Sequence, residues 1–254
     1  MKLGMIQGRL TTPEEGFQEC PTDWQREFYE LKKMSLNHIE WIVTKDSFST
    51  NPAFFQDISK YPIHTICADN VVSELICNEM FLQHNLLPIC EAAVKNNIRY
   101  VTIPLLEASS LESDSKVRSF IHSFSDIALA YPRLGFSLET ELSLDRVEEL
   151  LGINENIFLT YDTGNTTSYG ISHDEYITRF HDKITNVHIK DRTFDGVSVR
   201  PPTGDTDFEK IFCKLKSKKY TGCFTLQTAR EISGDEVDTV RTHSKIIGDI
   251  YERC

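Results

Sequence analysis

Short apolar, β-branched or aromatic runs alternate with longer stretches of helical periodicity along the whole chain. The short runs predict strands over 2–7, 38–42, 62–67, 100–103, 136–138, 157–161, 185–189 and 223–226. Between them the pattern predicts helices over 24–34, 78–97, 116–131, 145–151, 174–180, 208–215 and 236–251, with Phe120, Phe124, Ile127 and Ala128 showing the spacing of one buried face. Turn residues punctuate the series: Asn96 and Asn97 follow one helix, Pro62 opens a strand, and Asp207 stands where a cap is needed before Phe208. No long linker, low-complexity tract or shift of composition interrupts the alternation, so 1–254 reads as a single domain. The repeat predicts an α/β fold, a single (β/α)8 barrel, with a doubly wound open sheet as the alternative.

Composition narrows the partners. The 254 residues match the usual size of one eightfold barrel. Lys and Arg number 27 against 38 Asp and Glu, a formal charge of -11, which opposes binding to nucleic acid because that affinity comes largely from cationic contacts to phosphate. The apolar stretch at the start is too short for a signal peptide, and no run approaches the roughly 20 apolar residues that span a bilayer. The expectation is a soluble, cytoplasmic protein with no membrane partner. Seven cysteines, at 20, 67, 77, 90, 213, 223 and 254, form no C-x-x-C pair, and reduced thiols serving mostly as core packing are expected.

Four strands of the second half end in a residue able to hold a divalent ion: Phe136-Ser-Leu-Glu139, Phe158-Leu-Thr-Tyr-Asp162, Ile184-Thr-Asn-Val-His188 and Cys223-Phe-Thr-Leu-Gln227. The C-terminal strand ends of a parallel barrel converge on its mouth, so Glu139, Asp162, His188 and Gln227 are candidate metal ligands. Each has a plainer reading. Asp162 before Thr163-Gly-Asn165 suits an Asx-type turn, and His188 in an apolar strand suits a hydrogen-bonded core histidine. Glu139 competes with Glu141 two residues on, and Gln227 could be a hydrogen-bonding residue in a site without an ion. Gln7 and Arg9 at the end of the first strand are candidate substrate contacts, or a salt bridge closing the mouth. His64 and Asp69 bracket the third strand, Glu40 and Trp41 end the second, and Glu107 follows the fourth. A Trp beside a carboxylate suits the apolar face and hydroxyl edge of a sugar. Arg192, Arg200 and Arg230 fit either a phosphate or surface ion pairs, and no glycine-rich phosphate loop of known spacing is present.

The segments Gly4-Met-Ile-Gln-Gly-Arg-Leu10, His38-Ile-Glu-Trp41, Ser137-Leu-Glu139, Tyr161-Asp-Thr-Gly-Asn165, Asn186-Val-His-Ile-Lys-Asp-Arg192 and Leu226-Gln-Thr-Ala-Arg230 together resemble the xylose isomerase-like TIM barrel superfamily. The likeness runs nearly end to end and is strongest to the sugar phosphate isomerase/epimerase proteins. It implies one divalent ion, Mn²⁺, Mg²⁺, Co²⁺ or Zn²⁺, held by Glu, Asp, His and Glu on the last four strands. Glu139, Asp162 and His188 match those positions, whereas Gln227 places an amide where the ketose epimerases have a carboxylate. An amide oxygen still ligates Mg²⁺ or Mn²⁺, with one negative charge fewer. The resemblance further implies a small sugar or sugar phosphate as substrate, contacts from Asn165, Lys190 and Arg192, and a homodimer.

Two-carboxylate epimerisation needs a second base that Gln227 cannot supply. Glu139 is then the catalytic base of a one-base aldose-ketose isomerisation, or of an epimerisation whose second acid/base is Glu141, His64 or Asp191. The superfamily's abasic-site endonucleases need more strand-end histidines and a basic surface than this chain offers. Other readings are a non-catalytic sugar-binding barrel with a degraded metal site, and a lyase or dehydratase that starts from the same proton abstraction.

Overall fold

The computed structural model describes residues 1–14, 19–231 and 234–254. Eight parallel strands close into a barrel in the order β1-β10-β7-β6-β5-β4-β3-β2, which decides against the open sheet. They are β1 (Lys2–Ile6), β2 (Ile39–Ile42), β3 (Ile63–Cys67), β4 (Tyr100–Leu105), β5 (Gly135–Thr140), β6 (Ile157–Asp162), β7 (Ile184–Ile189) and β10 (Cys223–Leu226). Two short strands outside the barrel, β8 (Asp191–Arg192) and β9 (Ser198–Val199), form an antiparallel hairpin after β7. The helices are α1 (Trp24–Lys33), α2 (Pro52–Phe55), α3 (Glu79–Asn85), α4 (Leu87–Lys95), α5 (Asp114–Ala130), α6 (Leu144–Leu151), α7 (Thr163–Ser168), α8 (His173–Phe180), α9 (Phe208–Ser217) and α10 (Glu236–Arg253). The single helix expected over 78–97 is two, because Pro88 in the first turn of α4 has no N–H to continue α3 and its ring excludes the preceding turn.

Two compact units are distinguished, Glu40–Thr160 and Met1–Ile39 with Tyr161–Cys254. In the first, alternation along β5 sends Phe136 and Leu138 to the helices and Ser137 to the opposite face. Phe136 meets Phe124 edge-on at 5.1 Å, and Phe124 stacks on Phe120 at 5.0 Å, so α5 seals that strand by its aromatic face. On the other face a hydroxyl ladder runs across the strands: Thr160 donates to Ser137 at 2.9 Å, and Thr102 lies 3.4 Å from Thr160 and 3.2 Å from Thr65. Trp41 is fully buried, and its indole N–H donates to Asn51 Oδ1 at 2.8 Å while that oxygen also accepts from Ala53 N to cap α2. Trp41 is thus a core residue pinned to a helix cap, which corrects its reading as a sugar platform.

In the second unit Tyr161 stacks on Tyr176 at 4.8 Å, and Phe212 and Phe224 meet edge-on at 5.8 Å against Tyr251. The face of the strands away from these rings is again polar. Thr225 donates to Asn186 Oδ1 at 2.8 Å and lies 3.0 Å from His38 Nε2. Gly4 is required beside that histidine, since a Cβ there would come within 2.3 Å of His38 O. Cys213 of α9 and Cys254 at the end of α10 are joined in a disulfide. This corrects the expectation of reduced thiols: packing of α9 on α10 brings together two cysteines 41 residues apart, a proximity that spacing does not reveal. Five cysteines remain as thiols, at 20, 67, 77, 90 and 223.

Candidate metal centre

Each proposed ligand lies two residues beyond a small polar residue of the strand's polar face: Glu139 after Ser137, Asp162 after Thr160, His188 after Asn186 and Gln227 after Thr225. The period-2 alternation of a strand therefore sends all four to the same face as the hydroxyl and amide groups described above. One ligand atom from each of Glu139, Asp162 and His188 falls within 4.8 Å of the others, and all three residues are buried. Two carboxylates and an imidazole on a buried site form a donor set that fits Mn²⁺, Co²⁺, Zn²⁺ or Mg²⁺. Buried carboxylates this close repel one another unless a cation or proton joins them.

The segment Tyr161-Asp-Thr-Gly-Asn165 is explained residue by residue. Asp162 Oδ1 accepts from Asn165 N at 2.7 Å and caps α7, so the turn reading and the ligand reading describe the same side chain. The cap turns Asp162 Oδ2 away. That oxygen is buried with no hydrogen bond among the described residues, and Lys190 Nζ stands 3.9 Å from it. Thr163 staples β6 to β7, accepting from Lys190 N at 3.0 Å and donating to Lys190 O at 2.7 Å. Gly164 leaves room for Lys190, whose Cγ would lie 3.0 Å from a Cβ. Asn165 is buried, and its Oδ1 also lacks a hydrogen-bond partner among the described residues. Behind this turn the Tyr161 hydroxyl is hydrogen-bonded to His173 Nδ1, and His173 Nε2 lies 3.0 Å from Thr167 Oγ1. Burial raises the Tyr161 hydroxyl well above its usual range and lowers His173 to about 4, so both are neutral near pH 7.

Beyond His188, Asp191 does not face solvent. Its carboxylate accepts from Gly204 N at 2.8 Å and from Thr206 N at 3.3 Å, anchoring the loop that follows the hairpin. A Cβ at Gly204 would lie 2.4 Å from Asp191 Oδ1. Asp191 is therefore a loop anchor, which corrects its candidacy as a second acid/base. Arg192 ends β8, half-buried and paired with Ser198 of β9. Gln227 N donates to Ile189 O at 3.0 Å, and its amide Oε1 is buried without a hydrogen bond among the described residues. His64 is corrected as well. It is the second residue of β3, its ring 5.3 Å from that of Tyr100, the first residue of β4. Tyr100 pairs with Gly135 while Pro104 pairs with Glu139, so the His64 end of the sheet lies on the order of 15 Å below the ligand level at about 3.3 Å per residue. Asp69 and Glu107 sit in single 3₁₀ turns after β3 and β4.

The β1–α1 segment is shaped by a residue the sequence pattern does not mark. Glu27 of α1 reaches back to accept from Gly8 N and Leu10 N, both at 2.9 Å. Arg230 donates to Gly8 O, and Arg9 pairs with Glu19 at 2.9 Å, so Arg9 takes the salt-bridge role. Gln7 is buried just before this clamp. Burial raises the Glu27 carboxyl to about 7, partly offset by the two backbone N–H groups and by Arg230 and Arg9. The folded state thus holds a proton that the unfolded state, near 4.5, has released. Stability falls as pH rises from about 4.5 to about 7, by an upper bound of ~3 kcal/mol from this group. Denaturant unfolding across that window is expected to show the slope, and Glu27→Gln to remove it; an unchanged slope in the variant would place the titration elsewhere.

The fold and the strand-end cluster define a parallel α/β barrel with a carboxylate-histidine centre. A family model described as xylose isomerase-like TIM barrel matches residues 87–246, more than half of the chain, and the protein belongs to that family. Among curated proteins, an inosose dehydratase of Geobacillus kaustophilus (strain HTA426) is 30% identical over 115 residues, which are 38% of this chain and 37% of the relative. The match thus spans little more than a third of that relative's length. Among solved structures, an L-ribulose 3-epimerase superposes with a TM-score of 0.75 at 15% identity, covering 99% of this chain and 94% of the other. The IOLI protein with a bound zinc atom gives 0.74 at 15% identity, over 100% and 99%. Among the described residues no helix is long and apolar enough to cross a membrane.

Proposed function

We propose that the protein is a divalent-metal-dependent sugar or sugar-phosphate isomerase or epimerase that removes a proton α to a carbonyl, with Glu139 as the base. The observation that carries this reading is the convergence of Glu139, Asp162 and His188 within 4.8 Å in a buried setting. An L-ribulose 3-epimerase and a zinc-binding protein of the same fold support it. A bound ion would supply charge stabilisation for the developing enediolate oxygens, a proton α to a carbonyl being otherwise weakly acidic. Asp162 Oδ2, His188 and Glu139 would hold it, with Gln227 Oε1 as a neutral fourth donor. Asp162 is presented by its cap on α7, and Lys190 offsets the negative charge of that carboxylate. Glu139 takes the proton, and the same carboxylate returns it to the neighbouring carbon on one face, the natural outcome where Gln227 offers no second base. Asn165 and Lys190, on the segments that flank Asp162 and His188, bind substrate hydroxyls.

The second reading is a dehydratase, favoured by the partial identity to an inosose dehydratase. It shares the first proton abstraction and departs when a hydroxyl β to the carbonyl leaves as water. Incubation in D₂O with Mn²⁺ or Mg²⁺ and a panel of ketoses, inososes and their phosphates, read by mass spectrometry and NMR, separates the two. One deuterium gained with the sugar formula retained is the expected result, and loss of water would assign the dehydratase. Absence of exchange with every member of the panel would sink both and leave a binding barrel.

A further inference from the structure

The loop that follows Gln227 is tied to α10 by a relay of three side chains. His243 is fully buried, with Nδ1 2.8 Å from Thr228 Oγ1 and Nε2 2.7 Å from Glu231 Oε1. Arg200 Nε lies 3.4 Å from the same Glu231 oxygen. A carboxylate accepts only, so Nε2 carries the proton and donates to Glu231, which leaves Nδ1 bare. Thr228 must then donate its hydroxyl to Nδ1. Burial lowers the His243 pKa, in keeping with this neutral tautomer. Thr228 is itself buried, and alternation along the strand end sends its side chain to the helix layer and that of Gln227 to the polar face. Gln227 is fixed by its N–H on Ile189 O, while its amide oxygen is buried and accepts no hydrogen bond among the described residues.

A carboxylate ligand is drawn to a cation by charge over several ångströms. An amide oxygen offers only a dipole, whose attraction depends on its orientation, and a glutamine side chain loses three torsions when held. A site that uses an amide therefore depends more on its supporting shell. We propose that His243 is a positioning residue that, through Thr228, fixes the strand end so that the Gln227 amide oxygen is held for an ion carried by Glu139, Asp162 and His188. The role rests on the metal-centre reading above.

The test is Mn²⁺ affinity of the full chain by titration calorimetry, with the electron paramagnetic resonance spectrum of the bound ion as second readout. Thr228→Val keeps shape and removes the donor; Thr228→Ser keeps the donor. Thr228→Val is expected to weaken Mn²⁺ binding about 10-fold and alter the spectrum, in the range for lost ligand support, with Thr228→Ser restoring both. Gln227→Ala is expected to weaken binding similarly, and Gln227→Ala/Thr228→Val no further than Gln227→Ala alone. Wild-type affinity in Thr228→Val, or a full additional loss in the double variant, would overturn the positioning role while leaving the metal centre standing. Absence of Mn²⁺ binding in the wild type would overturn both. His243→Gln, checked first for a cooperative melt, is expected to follow Thr228→Val, and wild-type affinity in it would likewise overturn the role.

Discussion

Glu139→Gln abolishes proton exchange between substrate and solvent while the thermal unfolding curve keeps its shape and midpoint. The substitution is isosteric at a position that is 5% exposed, so packing is kept. What disappears is the only function an amide cannot replace, a lone pair basic enough to take a carbon-bound proton. Loss of a positioned general base costs about 10²–10⁴-fold. Because Glu139 is also a proposed ligand, metal content must be measured on the same sample. Retained ion with lost exchange isolates the base role. Retained exchange would move the base elsewhere, with Glu141, half-buried just past the end of β5, as the next group to test.

The barrel strands were legible because each is buried on both faces, so apolar runs stand out even where alternation is weak. The strand-end candidates were legible for a related reason: a polar residue closing such a run has few places to point except the mouth. Asp162 was harder, since its motif also spells a turn: one of its oxygens caps α7, and the other is buried with no hydrogen bond among the described residues. Thr163 and Gly164 have roles that local pattern does not encode. A hydroxyl that staples two strands and a glycine that admits Lys190 depend on β7, which lies some 20 residues away in sequence. The same limit hid the Glu27 clamp, the Asp191 anchor and the Cys213 to Cys254 disulfide, all set by tertiary approach and not by local periodicity. His64 was misplaced for another reason. A strand has two ends, and only the direction of the chain through the barrel says which one faces the site.

Asp162→Asn separates the two jobs of that side chain. Asparagine caps helices as well as aspartate does, so the bond from Asn165 N is kept and α7 stays in place. The atom replacing Oδ2 becomes an NH₂, a donor where an ion requires an acceptor, and one of two negative charges in the cluster is gone. Mn²⁺ affinity is expected to fall by at least about 100-fold, the upper end of what loss of a supporting partner alone produces. The metal-free protein should melt no lower than wild type, because removing one of two carboxylates held within 4.8 Å relieves their mutual repulsion by more than the loss of the Lys190 contact at 3.9 Å costs. Asp162→Ala should lose the ion equally and also melt lower, its missing cap costing about 1 kcal/mol. Calorimetric titration with Mn²⁺ and thermal melts in chelator measure the two effects independently. Wild-type affinity in Asp162→Asn would remove this residue from the metal centre and leave it as a cap alone. A lower metal-free melting point in Asp162→Asn would mean that Lys190 is held by an ion pair worth more to the fold than the crowding of carboxylates costs.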